Sequence, residues 1–491
     1  MSAPWRLAWM GGVTVALATL VVADEAQPTV GTSGAPADAR EVRVRLALTL
    51  DGAPRGAGLV LLNTRLTWVE ATLADLDWSE PNVKGCLGIG FDTHNPPNED
   101  PFNADGNIYD RPQREVSIHW DGIEVANALS TVDFADGQPH EALLRIEFQA
   151  AAAEVSVSID GTPVHERVLV PGLLPYPMGH ACAIETDDPQ GTVEVRELTG
   201  RGRAPQTRPA EHCHAIEGAV LDAGHQQEEA TVALPPSGKP YARVLLWLSL
   251  RTPPDGIDPW DRAGSVYVWS DSGERFEILR FITPFGREVT WQADVTDYQS
   301  LLRGSRKVGV AIGTWVKGWA VDVCLDYYAG KPARYAHRVT NLWSGDLEYG
   351  NPADPLESHL PTREVKLAPG TRSATVRAVV TGHGMNPNTD NAAEFMSAGR
   401  TLTVNGTRFE NVLWRADCYL NPCRPQGGTW KYDRAGWCPG ALVQPWDTDV
   451  TSLAKAGRSL TLEYNPQPYT NANAGRSRAS HLVEAQLIEY R

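Results

Sequence analysis

The run Asp258-Pro259-Trp260-Asp261-Arg262 sets two carboxylates around an indole, with a guanidinium next in line. Far along the chain, Asp433-Arg434-Ala435-Gly436-Trp437-Cys438-Pro439-Gly440 again puts charge beside an indole, and Glu394 stands alone between the two runs. A carboxylate whose proton affinity is tuned by burial or by its neighbours can activate water. A second carboxylate, here Glu394, can hold or protonate a leaving group. Arg262 and Arg434 can clamp a carbonyl or hydroxyl oxygen as negative charge builds on it. Trp260, Trp315 and Trp437 can wall a cleft, an indole covering the apolar face of a sugar ring while charges take its hydroxyls. The plainer reading of each run is a local surface ion pair or a stapled Trp-Cys-Pro turn. Two such runs in consecutive β-rich stretches, plus an isolated Glu, point to a site at a domain interface.

Other reactive motifs are missing. His140-Glu141 and His165-Glu166 each lack a second His four residues on, so no helical zinc-protease motif is present. There is no Gly-x-Ser-x-Gly elbow and no phosphate-cradling Gly loop. His212-Cys213-His214 places two imidazoles on one face of a strand, but no acidic or His third ligand is close in sequence, and it reads as a polar strand edge. No metal is expected at the candidate site.

The elements that must position these residues are strands. Val42 to Leu48 alternates faces residue by residue, as do Glu115 to Trp120 and Val155 to Ile159. Asp121-Gly122 and Asp160-Gly161 follow as hairpin turns. Further strands are predicted at 242–248, 265–269, 308–312, 373–380, 401–404 and 459–464. A short helical crossover is predicted over 294–302 and a loop over 469–475. No long segment of helical period occurs. The fold class is therefore all-β, with short strands and Gly/Pro/Asn turns that suit sandwiches or jelly rolls.

A chain of 491 residues is too long for one core. The organisation expected is a signal peptide at 1–23, a linker at 24–40, a first domain at 41–200, a second at 210–340 and a third at 341–491. Arg6 and the apolar run Met10 to Val22 have the form of an export leader, with cleavage after Ala23. No later stretch reaches bilayer-spanning length, so the chain is expected to be secreted or periplasmic and not membrane-embedded; the sequence leaves the oligomeric state open, with a monomer as the default. A net charge of -16 without a basic stripe excludes nucleic acid as a partner. Core filling is the plainer reading of any single Trp, but the excess of sixteen Trp over nine Phe also fits sugar-stacking surfaces. Seven Cys in an exported chain suggest three bridges and one thiol left over, with the pairing open.

The runs Trp260 to Val268, Phe276 to Pro284, Asp294 to Tyr298, Thr314-Trp315 and Tyr432 to Gly440, in this order, resemble the bacterial peptide-N-glycosidase F family, amidases that remove N-linked glycans. The likeness covers roughly residues 213–491, and the Asp-Arg-Ala-Gly-Trp-Cys-Pro-Gly run is its specific part. It implies two consecutive jelly-roll β-sandwiches. It implies hydrolysis of the amide between Asn and the first GlcNAc, leaving Asp, on N-linked glycoproteins or glycopeptides and without a cofactor. Carried over by position, the catalytic Asp falls on Asp261 and the catalytic Glu on Glu394. The substrate-binding positions fall on Arg262, Arg434, Trp260, Trp315, Trp437 and Asp258. The resemblance also implies a Cys418–Cys438 bridge. The chain departs from the family at Gly313, where an acid is expected, and at Ala392 and Met396, where a Cys pair is expected; a Cys pair before the catalytic Asp is absent too. Loss of turnover through Gly313 would leave the alternative, a secreted glycan-binding or adhesion protein.

In the first domain, Gly88 to Asn95 and the Pro/Asn/Asp-rich loop after it resemble concanavalin-type, legume-lectin-like jelly rolls. Metal-dependent members hold Ca²⁺ on Asp and Asn of such a loop, which would involve Asp92 and its neighbours. Gly90 stands where an acidic ligand is expected, so a solvated loop is the favoured reading. Docking to glycan or glycoprotein is the expected role.

Overall fold

The alternating run near residue 41 becomes the ten-residue strand Glu41–Leu50, whose even-numbered side chains are all buried while the odd-numbered ones keep contact with solvent. That period-two burial is what one face on a core and one on water requires. A computed structural model describes residues 28–491 except 32–34, 36, 52–55, 67–68, 70–71, 75, 94–113, 150–151, 186–190, 205–207, 237, 239, 385–392, 422, 424–425, 475 and 477. The export leader and residues 94–113 of the loop considered for Ca²⁺ lie outside the described residues; Asp92, where that loop begins, is buried at the end of the strand Leu87–Asp92.

Among the described residues the strands pair antiparallel into six sheets, grouped as three successive two-sheet sandwiches. In the first, a six-stranded sheet (Thr29–Gly31, His180–Glu185, Gly56–Leu61, Leu87–Asp92, Glu115–Trp120, Ile123–Leu129) faces a five-stranded one (Gly191–Arg201, Glu41–Leu50, His140–Phe148, Ala152–Ile159, Thr162–Pro171). Between them lies a core that includes Leu46, Leu48, Phe91, Ile118 and Ile146. The second sandwich pairs the sheet Glu211–Leu221, Trp319–Ala329, Tyr241–Arg251, Val289–Asp294 with the sheet Gln227–Ala233, Ser305–Ile312, Ala263–Trp269, Arg275–Ile282. The third pairs Ala336–Glu348, Ser480–Tyr490, Ser373–His383, Trp446–Asp449 with Arg363–Lys366, Ser459–Pro466, Ala398–Val404, Thr407–Leu413. The hairpin turns at Asp121-Gly122 and Asp160-Gly161 form with all four residues at positive φ, between 50° and 80°. Among the described residues no helix is long and apolar enough to cross a membrane.

Three expectations are corrected. The segment 24–40 is not all linker: Thr29–Gly31 pairs with Gly31 opposite His180, and Ala39 is buried. A three-residue edge strand is too short to show a period and is held by backbone pairing. The crossover after Asp294 is a single 3₁₀ turn, Thr296–Tyr298, anchored by the buried Tyr298. Among the described residues one disulfide forms, Cys418–Cys438; Cys86, Cys182, Cys213, Cys324 and Cys423 are free. The sheets explain why. Cys182 packs into the core of the first sandwich, and Cys86 lies in a separate cluster with Val60 and Ala181, residues that point the other way from the same sheet. Cys213 is paired with Leu325, so its side chain leaves the opposite face from Cys324.

The second and third sandwiches are bonded along a continuous seam. Ile282 donates its N–H to Ala441 and accepts from Gly440, at 3.0 and 3.1 Å. Arg280 donates to Leu482 O at 2.7 Å, and Gln486 donates to Glu277 O at 3.0 Å. Ile282, Trp437 and Val443 close a small apolar cluster across the seam. Elements of both sandwiches are thereby fixed relative to each other, which a two-sided site needs.

Candidate active site

The loop 258–262 is organised by its buried acid. Asp258, fully inaccessible, accepts the Trp260 N–H at 2.9 Å, Arg262 Nε–H at 2.9 Å and the Thr314 hydroxyl at 2.6 Å. Thr283 adds a second tie, accepting the Arg262 N–H at 2.7 Å and donating to Trp260 O at 3.0 Å. The loop is thus pinned on both sides of Asp261. The Arg262 guanidinium lies 3.6 Å from the Trp315 ring centroid, a cation–π contact, and its Nη2 is buried with no hydrogen-bond partner. An unpaired buried donor is costly unless a ligand oxygen takes it. Trp260 and Trp315 stay 54% and 70% exposed. Large indoles left open beside a charged loop form a surface suited to a sugar ring.

The opposite wall comes from the third sandwich. Glu394 follows the end of Ser373–His383; its N–H donates to Gly384 O at 3.4 Å and its carbonyl accepts the Ala435 N–H at 2.8 Å. Ala393 holds φ at 71°, a conformation that a non-Gly residue adopts only when its surroundings enforce it. Gly382 permits this approach, since a Cβ there would stand 2.1 Å from Ala393 O. Arg434 then spans the gap between the walls. Its Nε lies 3.3 Å from Glu394 Oε1 and its Nη2 3.9 Å from Asp261 Oδ2. Tyr432 O and the Thr429 hydroxyl accept two more of its bonds, both at 2.7 Å. Phe395 and Trp437 flank the guanidinium at 4.9 and 4.8 Å. Trp437 itself stacks on His383 and donates its indole N–H to Gly382 O.

Asp261 and Glu394 each keep 17% of their side-chain surface open. Burial pushes Asp261 up to about 7, opposed by Arg434 and Arg262 and helped by the Glu394 charge. Burial also raises Glu394, with Arg434 opposing. The same burial lowers Arg434, which its two carboxylates counter. Two acids whose proton affinity is raised by burial, facing one cation, can each exchange a proton with a bound water.

Among the residues singled out from sequence, Asp261, Glu394, Arg434 and Arg262 converge, and Trp260 and Trp315 stand open at the rim. Three lack the open surface expected of a substrate contact. Asp258 lies behind the loop as its anchor, Trp437 is 2% exposed beneath the seam, and Arg434 has no accessible side-chain surface. Asp258 bonds Arg262 and Thr314, Trp437 flanks Arg434, and Arg434 faces Asp261 and Glu394. Thr283, Thr314, Thr429 and Phe395 went unassigned, although Thr283 and Thr314 lie inside the runs quoted above; a Thr carries no motif signal until its partners are known. Gly313 borders a groove of about 360 Å³ that also touches Ala263, Glu277, Arg280 and Glu484. A Cβ at Gly313 would meet only Ala263 O, at 3.9 Å.

Comparison with known proteins bears on this geometry. The families described as "Peptide-N-glycosidase F, N terminal" and "Peptide-N-glycosidase F, C terminal" match residues 269–327 and 354–488. Glu394 and Arg434 fall inside the second stretch, and Asp261 falls just before the first. The peptide-N(4)-(N-acetyl-β-D-glucosaminyl)asparagine amidase F of Elizabethkingia miricola is 30% identical over 288 residues, 56% of this chain and 81% of that one. A crystal structure of a peptide-N(4)-(N-acetyl-β-D-glucosaminyl)asparagine amidase is similar at 26% identity and a TM-score of 0.52, covering 57% of this chain and 96% of that one. PNGase F, a glycosylasparaginase from Flavobacterium meningosepticum, gives 26% identity and 0.51, covering 57% and 95%.

Proposed function

The chain belongs to the peptide-N-glycosidase F family, and from that membership we propose that it hydrolyses the amide between Asn and the first GlcNAc of N-linked glycoproteins or glycopeptides. The observation that carries the proposal is the shared cation: Arg434 lies within contact range of both Asp261 and Glu394, which come from different sandwiches. In this reading Asp261, with a proton affinity near neutrality, takes a proton from the attacking water. The water oxygen attacks the Asn side-chain carbonyl carbon, and the C–N bond to the sugar breaks. The proton that Asp261 took then goes to the departing glycosylamine nitrogen, with Glu394 assisting at the sugar amide. The Arg262 guanidinium, held by Asp258 beneath Trp315, lends positive charge toward the oxygen on which negative charge collects, and Trp260 and Trp315 cover the sugar faces. Asn becomes Asp. The glycosylamine then loses ammonia in water.

Placing the acids on two bonded sandwiches has a physical purpose. Hydrogen bonds along the seam set the spacing of the two walls. The first sandwich serves as a lectin-like docking module that raises local substrate concentration. Export by the Met1 to Ala23 leader would place the protein where glycoproteins are encountered.

The test is to incubate the purified chain with a denatured N-glycoprotein. We expect released glycan and the mass change of Asn becoming Asp, both abolished in Asp261→Asn. Full release by that variant overturns the assignment. Glycan binding without release, in wild type and variant alike, supports the glycan-binding reading that Gly313 suggests.

A further inference from the structure

The strand that opens the second sandwich, Glu211–Leu221, pairs with Trp319–Ala329 so that His212 stands opposite Asp326 and His214 opposite Cys324. Directly opposed residues of an antiparallel pair share a face, so these four side chains leave the sheet together. Cys213, between the two His, faces the core side and partners none of them. The contacts form one chain. Asp326 Oδ1 lies 2.5 Å from His212 Nδ1, the two Nε2 atoms of His212 and His214 are 3.0 Å apart, and His214 Nδ1 is 3.3 Å from Cys324 Sγ. The free oxygen of Asp326 accepts the Trp247 indole N–H at 3.0 Å.

We propose that His212, His214 and Cys324 form a binding site for a zinc-class transition-metal ion, oriented by Asp326. One ligand atom from each of the three can be chosen so that all lie within 4.8 Å of one another. A tetrahedral zinc site spaces its nitrogen ligands about 3.3 Å apart, from bonds of about 2.0 Å, close to the 3.0 Å between the Nε2 atoms; Cys324 Sγ lies against the other ring nitrogen of His214, so a turn of the Cys324 or His214 side chain brings the thiolate to the same ion. Two imidazoles and a thiolate are a borderline-soft set that suits Zn²⁺ and disfavours Ca²⁺ or Mg²⁺. The carboxylate on His212 Nδ1 fixes that ring with its Nε2 lone pair outward, an arrangement common behind metal-bound His. Trp247 in turn fixes the carboxylate. The ion replaces the thiol proton of Cys324, which leaves to solvent. The fourth position opens outward, because both His are exposed. No third ligand was close in sequence; Cys324 lies 110 residues from His214 and is brought beside it by sheet pairing. The site adjoins the first sandwich, since a Cβ at Gly172 would stand 3.5 Å from the Trp247 ring. It involves no residue of the candidate active site, so its test is independent of amidase activity.

The experiment is titration of the untagged, metal-stripped full chain with zinc sulfate, and with Co²⁺ as an optical probe. We expect one Zn²⁺ per chain. Affinity should fall at least tenfold in His214→Ala and in Cys324→Ser, and ~10–100-fold in Asp326→Asn, while Cys213→Ser binds as wild type does. The Co²⁺ complex should show a thiolate-to-cobalt charge-transfer band that Cys324→Ser lacks. Unchanged thermal midpoints of the stripped variants exclude misfolding as the cause. No binding at micromolar free Zn²⁺, or equal binding by wild type, His214→Ala and Cys324→Ser, overturns the proposal.

Discussion

Asp261→Asn should inactivate the protein and, above neutral pH, stabilise it. Asp261 keeps its proton to about pH 7 in the folded chain, against an ordinary value of 3.8. Between those limits the folded state holds a proton that the unfolded state has released. Stability therefore falls as pH rises from about 4 to 7, and the loss is complete above 7. At 1.36 kcal/mol per tenfold change in proton affinity, the full cost is about 4 kcal/mol. The acid keeps 17% of its side chain open and shares its field with Glu394, so about 2 kcal/mol is the working figure. Asn cannot ionise and escapes the cost. Wild type and variant should be unfolded by heat and by urea at intervals from pH 4 to 8.5. The variant's advantage should grow through pH 5–7 and then level off. A difference in stability that does not vary with pH would refute the burial argument, whatever the activity shows.

The rate of glycan release should fall as pH drops below about 7, since Asp261 must be ionised to accept a proton from water; a profile flat from pH 5 to 8 counts against that role. Gly313→Glu should fold normally, because a Cβ there meets only Ala263 O at 3.9 Å, and should raise the rate of release; no gain would mean that another residue already supplies the missing acid. Trp315→Ala should weaken substrate binding about tenfold, the loss of one stacking face, with little change in unfolding midpoint because the indole is 70% exposed. Replacing Cys418 and Cys438 together by Ala should cost about 3 kcal/mol for a bridge spanning 20 residues and lower activity further, because Arg434 lies inside that loop; activity equal to wild type would show that the loop is placed without the bridge.

Strands, turns and the two charged runs were legible in the sequence because each is a local pattern. Alternation in Val42 to Leu48 needs no partner to be read, and Asp121-Gly122 announces its own positive φ. The family resemblance rested on five short runs in order, of which Asp-Arg-Ala-Gly-Trp-Cys-Pro-Gly was the specific one. What each charged residue does was less legible. Asp258 and Asp261 are three positions apart in one loop and have the same chemistry. Only the fold makes one an inaccessible anchor for Thr314 and Arg262 and leaves the other partly open with a raised proton affinity. The sequence marks Arg434 as a substrate clamp; the fold adds what the sequence did not show, that Glu394, Tyr432, Thr429, Phe395 and Trp437 wall it in.

Residue types and their local order determined that this chain is all-β, that it belongs to an amidase family and which acids to watch. Tertiary structure alone decided that Asp261 and Glu394 meet on one guanidinium, that Cys86 and Cys182 stay apart, and that His214 finds Cys324. The reason is that desolvation, sheet register and long-range charge depend on what packs beside a residue in space. A linear pattern carries none of that information.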